Sequence, residues 1–164
     1  MLGTDTVDRV FATYLNDHHA LAVGGAELTR RLASHQRDSE HATELAALRD
    51  DVREDLHRLR QIMATVGVPV RAYKSVAAWV AEKFGRWKLN GRLLKPSPSS
   101  PVLELEGVTM LLTAKAGLWR SLRARARGDG RMDHDALDEL ARRADQQLET
   151  ARRLHTRYAE EAFG

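Results

Sequence analysis

At 164 residues, 43% hydrophobic and 30% charged, the chain has the size and balance of one folded domain and not of a disordered segment. It has no cysteine, which excludes disulfides, thiolate chemistry and thiolate-ligated zinc or iron–sulfur centres. Its net charge of +3 permits an acidic partner without demanding one, and no apolar run approaches the roughly 20 residues of a membrane span.

With four prolines, few aromatic residues and abundant Ala, Leu, Arg and Glu, the composition favours helix nearly throughout. The first predicted helix covers about 5–34, with Thr4 as N-cap. Its apolar series Val7, Phe11, Tyr14, His18, Leu21, Gly25, Leu28, Leu32 alternates steps of four and three, the seam of a helix packed lengthwise in a bundle. Gly25 fits that series as a point of close backbone approach. His18 does not fit an apolar seam, because an imidazole buried without a partner costs a few kcal/mol.

The second helix is expected over about 40–66, capped by Ser39 and stopped by Gly67 and Pro69, with the seam Leu45, Leu48, Val52, Asp55, Leu59, Ile62, Val66. Residues 67–100 form a long connection containing a short amphipathic helix over 75–88 and a proline-stiffened strap, Lys95–Pro101. The third helix, about 101–127 with Ser100 as N-cap, has the stripe Val102, Leu105, Thr109, Leu112, Ala116, Trp119, with Lys115 on its shoulder. The fourth, about 133–163, has the seam Leu137, Leu140, Ala144, Gln147, Ala151, Leu154, Tyr158.

Each seam is thus broken by a polar residue close to its helix's midpoint: His18, Asp55, Lys115 and Gln147. Midpoints face each other in antiparallel helices joined by a short turn. The spacing therefore predicts that His18 meets Asp55, that Lys115 approaches Gln147, and that one polar layer crosses the bundle at mid-height. Asp17 and Asp51 stand on the shoulders of the layer. Buried ionic layers of this kind set register more than they add stability.

A short turn, a long crossover and a second short turn joining four long helices make an all-α, ferritin-like four-helix bundle, a single domain over 1–164. Nearly the whole chain resembles the ferritin-like superfamily, in particular a group of small bacterial ferritin-like proteins. The marks are Tyr14–His18, Trp79, Glu82-Lys83, Lys88–Gly91, Leu103–Gly107, Lys115 with Trp119, and Gln147. In metal-binding members two iron or manganese ions sit at mid-bundle, held by glutamates and Glu-x-x-His pairs. This chain departs from that pattern. Its single Glu54-x-x-His57 lies about 125° and about 175° from the centre of the second helix's stripe, and the fourth helix has none. The expectation is a bundle without a dimetal centre or other cofactor. The alternative is a metal-dependent oxidase or ligand-binding protein with iron or manganese on Asp17, His18 and Asp55.

The remaining histidines, including His19 and His41, have no metal-like spacing on an inner face and are expected at the surface. The cations Lys83, Arg86, Lys88, Arg92 and Lys95, interleaved with Phe84 and Trp87, are read as water-facing beside aromatics that pin the crossover. Arginines near the end of the third helix suit its dipole. Neither patch is expected to bind nucleic acid or a membrane surface. No phosphate loop or nucleophile–base spacing is present, so no catalytic residue is assigned. The resemblance and the aromatic crossover imply a homodimer, and the N-terminal residues carry no signal-peptide pattern, which gives a cytoplasmic expectation.

Overall fold

The computed structural model describes residues 4–71 and 97–164, and among them all regular structure is helical. Four helices follow in order, α1 (Thr4–His35), α2 (Ala42–Thr65), α3 (Ser100–Ala126) and α4 (His134–Phe163), each within about two residues of its predicted bounds. The short helix and basic cluster expected in the connection lie outside the described residues.

Local chemistry sets the ends. Gly67, at φ +74°, lets the chain leave α2 through a left-handed step in which the amide of Val68 donates to the Met63 carbonyl at 2.8 Å. The Asp133 carboxylate accepts from the amides of Asp135 and Ala136 and starts α4. Two expected caps differ. The residue before α2 is His41, without a side-chain cap, because Ser39 instead joins the Gln36 carbonyl and the Tyr158 hydroxyl. At α3 the helix already includes Ser100, preceded by Ser99, with Pro101 in the first turn.

The helices form a ring in which α1 packs on α2 and α3, and α4 packs on α3 and α2. Leu15, Leu59, Leu122 and Leu137 share one apolar cluster, while Leu32, Leu45, Leu105 and Leu154 share another. So α1 and α4 run one way, and α2 and α3 the other. The two clusters meet between Val52 and Leu59 on α2, Leu112 and Ala116 on α3, and Ala144 and Leu148 on α4. Asp55, Lys115 and Gln147 occupy those intervals. A polar layer therefore divides the core into two apolar halves.

Candidate functional site

Asp55, Lys115 and Gln147 are 1%, 8% and 4% exposed and come together from three helices. The Lys115 ammonium donates to Asp55 Oδ2 at 2.6 Å and, by a very short contact, to the Gln147 carbonyl oxygen. The Gln147 amide Nε2 donates to the same Asp55 oxygen at 2.9 Å. Lys115 thus reaches across the diagonal of the ring, between helices whose backbones do not touch. Burial pushes its ammonium below the usual lysine range, and the adjoining Asp55 carboxylate opposes that shift. On the α4 side Arg143 stands 3.5 Å from both Asp55 and Asp51, ion-paired but too far for a good hydrogen bond.

The contribution of α1 differs from expectation. His18 is half-buried, packs tilted against the Tyr14 ring with centroids 4.5 Å apart, and has no hydrogen bond to Asp55. Both residues line one cavity instead, together with Lys115, Trp119 and the leucines between α1, α2 and α3. Burial lowers the His18 imidazole below its ordinary value, against the pull of the adjacent Asp17 carboxylate. Asp17 itself is exposed, so the trio Asp17, His18 and Asp55 is not assembled as a set of ligands. The reason is rotational: at this height the buried face of α1 is Leu15, Asn16 and His19, one position on from Tyr14 and His18.

Two of those residues have roles the periodicity missed. Asn16 is 1% exposed, accepts from the Arg71 amide at 2.7 Å and donates to the Pro69 carbonyl at 3.3 Å, fixing the chain after α2. Asn16 lies between the seam members Tyr14 and His18, so the periodicity carried no signal for it. His19, expected at the surface, is buried and accepts from Arg60 Nε at 3.1 Å; burial, then the Arg60 charge, lower its proton affinity. Arg143 was legible only as a cation one turn before Gln147.

His41 was also expected at the surface and is buried, its Nε2 2.9 Å from Glu161. Among the described residues, Glu40–His41–Glu161 and His134–Asp135–Asp138 each bring three ligand-type atoms within 4.8 Å of one another. In both groups acidic side chains stand in solvent and existing ion pairs account for the geometry. The Glu54-x-x-His57 pair points outward as expected, Glu54 to Arg58 at 3.0 Å and His57 to Gln61 at 3.0 Å. No described helix is long and apolar enough to cross a membrane. Comparison with known protein families, curated proteins and solved structures returned no match.

Proposed function

We propose that the chain is a ferritin-like bundle in which an internal ion pair takes the place of a dimetal centre, and that it acts without catalysis, through self-association. The observation that carries this reading is the Lys115 ammonium 2.6 Å from Asp55 at the centre of the bundle. An ammonium there fills the electrostatic role of a divalent cation and repels one that would compete for the carboxylate. The donor set agrees. A pair of iron or manganese ions needs several carboxylates and imidazoles, whereas this layer offers one carboxylate, one amide and a half-buried imidazole. These residues do not fit a dimetal centre. The opposed directions of α1 and α2, with α2 parallel to α3, support a connection that runs the length of the bundle, as in ferritin-like folds.

Self-association is supported by α3, where Leu103 and Met110, two turns apart, are 43% and 69% exposed. Light scattering tests it, a homodimer being expected and a monomer ruling it out. A second reading, a single iron or manganese ion on His18 and Asp55, draws on the fact that both line one cavity. Elemental analysis with iron and manganese titrations separates the two readings. Stoichiometric metal that disappears in His18→Ala overturns the first.

A further inference from the structure

On its outward side α3 carries a line of residues that the core does not use. Leu103, Met110, Gly117 and Ala124 follow at steps of seven, so they stack along one side of the helix over about 32 Å. Leu103 and Met110 are 43% and 69% exposed, Ala124 is exposed and Gly117 is half-buried. The other large exposed apolar side chains among the described residues, Val10, Val70 and Phe163, stand singly on other parts of the chain.

Gly117 is the informative member. Glycine weakens a helix interior relative to alanine, and a Cβ built at this one meets no atom within 4 Å. Packing inside the chain therefore gives no reason for it, and it leaves a notch in the outward face. The line is also divided by size, with large side chains at Leu103 and Met110 and small ones at Gly117 and Ala124. Charge follows the same division, with Glu106 in the first half and Arg120 in the second. Within the chain these two meet only His155 and Asp145 in exposed pairs, which are worth little. A surface divided in this way is complementary to itself turned end for end.

We infer that a second copy of this chain covers this face, its α3 lying antiparallel to the first about a two-fold axis between Thr113 and Ala114. Met110 then fills the notch at Gly117 of the partner subunit, and Leu103 lies on Ala124 of the partner subunit. Glu106 comes beside Arg120 of the partner subunit. The two-fold makes each of these contacts twice. This inference rests on the self-association proposed above and gives it a face and a register. One helix-on-helix contact is small for a stable interface, so the dimer should dissociate on dilution through the micromolar range.

Sedimentation equilibrium over that range tests it. Gly117→Leu fills the notch and should weaken dimerisation by about tenfold or more, as overpacking of a fitted contact does. The open space at Gly117 means that the monomer should keep its fold, which circular dichroism checks. Adding Met110→Ala to that variant makes room for the leucine across the axis and should restore the dimer. The chain has no cysteine, so Thr113→Cys, beside the axis, gives a test of register that does not depend on those variants. On oxidation it should link to its own copy, whereas Glu149→Cys, exposed on α4, should not. A dimer indifferent to Gly117→Leu, no recovery in the double variant, or equal linking at the two cysteine positions would overturn this interface while self-association stood. A monomer at every concentration would overturn both.

Discussion

Lys115 and Asp55 sit on helices whose backbones do not touch, yet their charged groups meet at 2.6 Å inside the bundle. Neither charge can be removed alone without leaving the other buried. Asp55→Leu or Lys115→Met should each destabilise by about 3–5 kcal/mol. Replacing Asp55, Lys115 and Gln147 together by apolar residues should recover that loss, and can exceed wild type by about 1–4 kcal/mol. Denaturant melts of the singles and the triple variant check this. An Asp55→Leu melt that matches wild type would contradict burial of the pair.

The register of α2, α3 and α4 was legible because Asp55, Lys115 and Gln147 each interrupt a seam whose neighbours on both sides are buried. In α1 the seam and the buried face coincide at Gly25, Leu28 and Leu32 but part company toward Tyr14 and His18. A strict heptad series drifts by about 20° per heptad on a straight helix, and α1 packs against two partners whose contacts pull on different sides of it. Asn16 then settles the rotation by its bonds to the chain at 69–71, a contact between distant residues that no local spacing encodes. The pairing of Lys115 with Asp55, rather than with its own hairpin partner alone, was hidden for the same reason: it crosses the ring diagonally.

Asn16→Ala should therefore cost more than an ordinary helical Asn→Ala change. It frees the Arg71 amide and the Pro69 carbonyl together, with about 1–3 kcal/mol expected for stranding such groups. Amide exchange at Arg71 should accelerate in the variant. Unaltered exchange there would show that Asn16 does not hold this segment.

Acid should weaken the fold through α1. Both His18 and His19 have proton affinities lowered by burial, so the unfolded chain takes up protons before the folded one. Stability from these groups is complete above the unfolded value of about 6.5 and declines as pH falls below it toward the folded values. Protonation of His19 also removes the acceptor for Arg60. Melts between pH 7 and pH 5 should show this fall, and His19→Gln should reduce its slope. A slope unchanged by that substitution would place the sensitivity elsewhere.

Gly25 was expected to mark a close backbone approach, and the structure removes that requirement. A Cβ built there meets the Leu111 Cβ at 3.7 Å, an ordinary van der Waals contact, and its backbone is helical. Glycine inside a helix costs about 0.5–1 kcal/mol relative to alanine, through the entropy of the unfolded chain. Gly25→Ala should accordingly raise the melting temperature, with the Asp55–Lys115 pair undisturbed. Loss of stability instead would mean that α1 and α3 lie closer at Leu111 than 3.7 Å allows, and that the glycine is there for space.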